Sequence, residues 1–146
     1  MAAAPNKHRK VPLLLFAEDD DEDWMLIRDT FDACKTPNRL ERVKDGVELM
    51  ARLRDSSKEP PSLILLDLKM PLKNGHEALT EIRGDDDLRH IPVVIMTASR
   101  SEADIFQSYY NGANSYIAKP VEEDHLQTMK RYWTDVVNLP VKPTGT

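Results

Sequence analysis

Five short apolar runs, each followed by a longer amphipathic stretch, constrain this chain more than any other feature of its sequence. The runs are Val11 to Ala17, Arg39 to Val43, Leu63 to Leu66, Val93 to Met96 and Ser115 to Ala118. A strand followed by a helix, repeated, builds β/α units around a parallel sheet. Three of the runs are nearly continuous in Val, Ile and Leu, which is what strands covered by helices on both faces require. Arg39 to Val43 is more polar and suits a sheet edge.

The stretches between the runs carry apolar residues at spacings of three and four, the signature of helices with one buried stripe. These are Trp24, Ile27, Phe31 and Cys34; Val47, Met50 and Leu53; Ala78, Leu79 and Ile82; Ile105, Phe106, Tyr109 and Tyr110; and Leu126, Met129, Trp133, Val136 and Val137. Pro37, Gly84 and Asn111-Gly112 mark helix ends. The expectation is one α/β domain over residues 11–140, with disordered residues 1–10 before it and a flexible tail at 141–146.

Composition narrows the function classes. A net charge of −5, a pI near 5.4 and scattered basic residues argue against a nucleic-acid surface. No run approaches the length of a membrane span, so a soluble, cytoplasmic protein with no membrane partner is expected. The single cysteine, Cys34, forms no internal disulfide and reads as core packing. His8, His76, His90 and His125 lack zinc-site spacing and read as surface residues.

In an open parallel sheet, ligands bind beyond the carboxyl ends of the strands. The polar residues there are Glu18-Asp19 after the first run, Asp67 after the third, Thr97 after the fourth and Lys119-Pro120 after the fifth. Three of these are carboxylates, and two like charges about 4 Å apart repel by roughly 4 kcal/mol at an effective dielectric near 20. Something cationic must offset that. A hard divalent ion such as Mg²⁺, which takes carboxylate, water and phosphate oxygens, fits the set, and Lys119 adds a further positive charge. Asp20, Asp21, Glu22 and Asp23 read equally well as a solvated acidic turn at a helix N-terminus, where acids are favourable.

Glu18-Asp19, Asp67 with Met70-Pro71 and Gly75, Thr97-Ala98 and Lys119-Pro120, in this order and separation, resemble the receiver domain of response regulators over roughly residues 11–138. The resemblance implies a flavodoxin-like, doubly wound five-stranded parallel sheet of order 2-1-3-4-5. It implies that Asp67 is the phosphoacceptor, that Asp19, Asp67 and the Lys69 backbone carbonyl bind Mg²⁺, and that Glu18 acts mainly through a metal-bound water. Thr97, Ala98 and Lys119 would contact the phosphoryl group, Lys119-Pro120 would be a cis peptide, and Tyr116 would be the aromatic that swings inward when Thr97 moves. The domain would catalyse only its own phosphorylation and dephosphorylation, with no outside substrate. Pro71 and Gly75 are expected to shape the loop after Asp67, where glycine tolerates conformations that other residues avoid.

Within that family, Ile91-Pro92-Val93-Val94, Ser108-Tyr109-Tyr110, Gly112-Ala113-Asn114 and Tyr116 to Val121 look most like the regulators paired with phytochrome photoreceptor kinases. This implies a phytochrome-type sensor histidine kinase as partner and a homodimer, with Tyr109, Tyr116 and Trp133 as contact candidates. Little chain follows Asn138, so the output is expected to be a protein contact. A dimeric scaffold acting without phosphorylation is the alternative. An aspartyl phosphatase would normally carry a second Asp two positions after the first, where this chain has Lys69, and a flavin site would not place Glu18 to Asp23 against a phosphate.

Overall fold

A computed structural model describes residues 11–33, 38–122 and 124–126. Its elements are β1 (Leu13–Ala17), α1 (Asp21–Asp32), β2 (Arg39–Val43), α2 (Gly46–Leu53), β3 (Leu63–Leu66), α3 (Gly75–Arg83), β4 (Val93–Thr97), α4 (Glu102–Tyr110) and β5 (Ser115–Ala118). All strand pairs are parallel and the order is β2-β1-β3-β4-β5, the flavodoxin-like topology that the resemblance implies.

Alternate residues along each strand feed two cores. Leu15, Ala17, Ile64, Leu66, Val93 and Ile95 face α2 and α3, packing on Leu49, Met50, Leu79 and Ile82. Leu14, Phe16, Leu63, Leu65, Val94 and Met96 face α1, where Phe16 meets Phe31 edge-on at 5.2 Å and Trp24 at 5.1 Å. β2 is the sheet edge that its polarity predicts, buried fully only at Val43.

Sharp caps start the helices. Asp20, Asp45, Asn74 and Ser101 each accept from a backbone N–H three residues on, satisfying a donor that the helix leaves unpaired. Gly112 ends α4 region in a turn at φ 104°, a left-handed conformation that favours glycine.

Four expectations need correction. Val47 does not join the buried stripe of α2; it is exposed, and Leu49 takes its place in the core. The aromatic stripe of α4 points outward, against a buried stripe and in keeping with Tyr109 as a contact candidate: Phe106, Tyr109 and Tyr110 are 69%, 48% and 76% exposed, and the only buried residue of the helix is Ser108. Gly75 does not have a left-handed φ, and its reason is contact. A Cβ there would sit 2.3 Å from the Asp67 carbonyl oxygen and 2.7 Å from Leu68 Cα. β1 also starts at Leu13 and not at Val11, because Pro12 has no N–H to give a ladder. Cys34, Pro37, Met129, Trp133, Val136, Val137 and the two chain ends lie outside the described residues.

Candidate functional site

The carboxyl ends of β1, β3, β4 and β5 meet at one rim. β1 delivers Glu18, whose N–H donates to the Val43 carbonyl at 3.0 Å, and Asp19 follows it. β3 delivers Asp67, whose N–H donates to the Ala17 carbonyl at 3.1 Å. β5 delivers Lys119, whose N–H donates to the Thr97 carbonyl at 2.8 Å. The ladder thus fixes the backbone under each functional side chain before the side chains interact.

Oxygen atoms of Glu18, Asp19 and Asp67 lie within 4.8 Å of one another. Glu18 and Asp67 are buried, while Asp19 is exposed at the mouth. Lys119 Nζ reaches into the cluster, donating to Asp67 Oδ2 at 2.9 Å, to Asp23 Oδ2 at 2.8 Å and to Glu18 Oε1. The other Asp67 oxygen, Oδ1, accepts the Lys69 N–H at 3.2 Å. Burial pushes the Glu18 carboxyl up to about 7, against the pull of the Lys119 ammonium, and the Asp67 charge adds to the rise. The three carboxylates around Lys119 outweigh its own burial and hold its pKa above the ordinary lysine value.

This donor set fits a hard cation. Three carboxylate oxygens at that spacing, one of them solvent-facing, match the ligand preference of Mg²⁺ or Mn²⁺ and leave coordination positions for water or a phosphate oxygen.

Other predicted residues lie on or just after the ends of β4 and β5. Thr97 is fully buried at the end of β4, its hydroxyl oxygen facing the Ser99 N–H at 3.5 Å, and Ala98 beside it is exposed. The Lys119–Pro120 peptide is cis. Tyr116 is half-buried and its hydroxyl donates to the Ser99 carbonyl at 2.8 Å, with burial raising its pKa. Tyr109 stands apart, exposed on α4.

Sequence reasoning missed three features. Asp23, assigned equally to a solvated turn, contacts Lys119 directly. Arg42 on β2 donates from Nε to the Glu18 carbonyl at 2.8 Å and pairs through Nη1 with Asp21 at 2.8 Å, bracing the acidic turn; its Nη2 is buried without a hydrogen-bond partner. His76 is not a free surface residue: Nε2 lies 3.3 Å from Asp104 Oδ1, and Asp104 Oδ2 accepts the Ser99 hydroxyl at 2.5 Å. These two partners, Ser99 first, lower the Asp104 pKa. The chain His76, Asp104, Ser99, Tyr116 therefore links α3, α4 and β5 beside the rim. Only the i, i+3 relation of Asp20 and Asp23 hinted at any of this, by placing Asp23 in the first turn of α1.

Among the described residues no helix is long and apolar enough to cross a membrane. Residues 14–131 match the family model described as the response regulator receiver domain. A probable methanogenesis regulatory protein, FilR2, of Methanothrix harundinacea is 35% identical, with 83% of each chain covered. Response regulator Rcp1 of Synechocystis is 34% identical over 88% of this chain and 92% of its own. A solved Mn(2+)-bound form of response regulator Rcp1 superposes with a TM-score of 0.77 at 33% identity, covering 89% of this chain and 99% of that one. The phosphorylated cyanobacterial phytochrome response regulator RcpA gives 0.78 at 35% identity, covering 90% and 99%. With a family model spanning most of its length and relatives of this similarity, the chain belongs to the response regulator receiver domain family, and is related to phytochrome response regulators.

Proposed function

We propose that this receiver accepts a phosphoryl group on Asp67 from a sensor histidine kinase, in a Mg²⁺-dependent reaction, and signals by a change of shape that another protein reads. One observation carries the proposal: Asp67 is a buried carboxylate at a strand end, with an ammonium on one oxygen, an N–H on the other and two further carboxylates within 4.8 Å. A carboxylate so placed is a usable nucleophile once its charge and that of the donor are balanced. Asp19, Asp67 and the Lys69 carbonyl would hold Mg²⁺, with Glu18 acting mainly through water, and the ion would supply the positive charge that the transferring phosphoryl oxygens need. Lys119 pairs with one of those oxygens, and Thr97 and Ala98 line the place for another. The Asp67 oxygen–phosphorus bond forms as the phosphohistidine nitrogen–phosphorus bond breaks, leaving the electron pair on the imidazole.

Thr97 and Tyr116 form the proposed switch, since the Tyr116 hydroxyl is held by the carbonyl two residues beyond Thr97. The phytochrome-type kinase is proposed from the likeness to RcpA, and a cytoplasmic location is proposed alongside it. A second copy of this chain is the proposed further partner. Tyr109 lies on the exposed α4 face, beside Phe106 and Tyr110, whose rings stack at 6.0 Å; Tyr116 and Trp133 are the other contact candidates.

Intact-mass measurement after treatment with acetyl phosphate and Mg²⁺ tests the acceptor. One phosphoryl adduct is expected, lost with EDTA and in Asp67→Asn. An adduct of full stoichiometry on Asp67→Asn overturns the assignment, and phosphotransfer from a panel of histidine kinases, a phytochrome kinase among them, tests the partner.

A further inference from the structure

We propose that Asp23 is a positioning residue that occupies one N–H of Lys119 in the resting site and has to release it when a phosphoryl group arrives. The inference rests on the reading of Asp67 as acceptor. An ammonium has three N–H donors and no acceptor. In the resting site all three are taken, by Glu18, Asp67 and Asp23. A phosphoryl oxygen on Asp67 finds no free donor on Lys119 until one of these three acceptors lets go.

Exposure decides which. The side chain of Glu18 is 1% exposed, so releasing it strands a buried carboxylate; that of Asp67, 8% exposed, loses its charge on phosphorylation but keeps a buried carbonyl oxygen that needs a donor; that of Asp23 is 40% exposed and rehydrates when released. Asp23 also has no duty toward a cation, whereas Glu18 and Asp67 belong to the oxygen cluster that fits one. Its backbone stays in place during the exchange, because the Asp23 N–H is held by the Asp20 cap at 2.8 Å. Asp23 and Lys119 both line a groove of about 350 Å³ with Leu26, Ala98, Pro120 and Val121, so water reaches the released carboxylate. Asp23 is therefore a competitor of the phosphoryl group for Lys119, and it weights the domain toward the unmodified state.

The test compares the parent with Asp23→Asn and Asp23→Glu at saturating Mg²⁺ in labelling by acetyl phosphate. In that step the bond from Asp67 to phosphorus forms, the bond from phosphorus to the acetyl oxygen breaks, and its electron pair leaves on acetate. Asp23→Asn should label about threefold to tenfold faster, the worth of one half-exposed charged hydrogen bond. It should also bind beryllofluoride more tightly by a similar factor, followed by the fluorescence of Trp24. Its affinity for Mg²⁺ alone should be unchanged or weaker, since a nearby negative charge is lost. Asp23→Glu, which keeps the acceptor, should stay within about twofold of the parent. General damage to the site would lower beryllofluoride and Mg²⁺ affinity together, and that result overturns the inference. So does an Asp23→Asn protein that labels no faster than a parent that does label. A parent that neither labels nor senses beryllofluoride overturns the acceptor reading, and this inference with it.

Discussion

Lys119→Met removes the one ammonium in the rim cluster and keeps most of its hydrocarbon stem, so its effect isolates charge from packing. In the parent, Lys119 Nζ lies 2.9 Å from Asp67 Oδ2 and 2.8 Å from Asp23 Oδ2, touches Glu18 as well, and its side chain is only 10% exposed. Without it, Glu18 and Asp67 face each other within 4.8 Å, a repulsion of about 3.5 kcal/mol or more at an effective dielectric near 20. Breaking a buried ion pair by deleting one partner costs about 3–5 kcal/mol, and the two figures agree. Urea unfolding should be followed in EDTA at pH 8. Burial raises the Glu18 carboxyl of the parent from 4.5 to about 7 although Lys119 lowers it, so stability declines as pH rises through that window; without Lys119 the rise is larger, and the loss in the variant grows with pH. The expected loss is about 3–5 kcal/mol, with partial recovery in Lys119→Met/Asp67→Asn, which removes one of the facing charges. A loss under about 1 kcal/mol, or a double variant no more stable than the single one, refutes the claim that Lys119 holds the acidic rim together.

Gly75→Ala drives a Cβ into the Asp67 carbonyl oxygen at 2.3 Å, so it should destabilise by about 1–3 kcal/mol and slow acetyl phosphate labelling, both read on one preparation. Asp104→Ala removes the acceptor of Ser99 and His76 and should cost about 1 kcal/mol at pH 7, a value kept small by solvent screening. Because the folded Asp104 pKa lies below 3.8, that contribution is present above 3.8 and fades as pH falls through the folded value; urea midpoints of the two proteins should converge there. Amides of α4 should exchange with deuterium faster than those of α2 and α3, since α4 buries only Ser108 while α2 and α3 bury Leu49, Met50, Leu79 and Ile82; equal protection refutes that ranking.

Strand positions were legible because continuous apolar runs have few alternatives in a chain of this length, whereas the sheet order came only from the family resemblance. Leu63 to Leu66 is buried at every residue, and no amphipathic helix reads that way. Helix faces were less legible. Val47 and Leu49 are two residues apart on a helix that begins at Gly46, and the heptad pattern alone does not say which of them meets the sheet. Gly46 decides it: a Cβ there would lie 2.2 Å from the Lys73 carbonyl oxygen, so that side of the first turn faces the α3 approach. The rim residues were legible for a different reason. Parallel strands deliver their carboxyl ends to one edge, so Glu18, Asp67 and Lys119 meet although 101 positions separate the first from the last.

What stayed hidden are contacts that a generic rule already explained. An acid in the first turn of a helix is favourable whatever it touches, so Asp23 carried no sign that its carboxylate reaches Lys119 from four residues beyond Asp19. The same holds for α4, whose spacing of Ile105, Phe106, Tyr109 and Tyr110 is that of a core-facing stripe. The helix packs on β5, its one buried residue, Ser108, donates back to the Asp104 carbonyl of the same helix at 2.8 Å, and the Asp104 carboxylate holds Ser99 and His76. An outward aromatic stripe on a helix pinned from within by hydrogen bonds is an arrangement a deep core would not permit. Under the proposed function it joins the phosphoacceptor rim to the surface offered to a partner, because the pins that hold α4 start one residue from Ala98 and end on Tyr116.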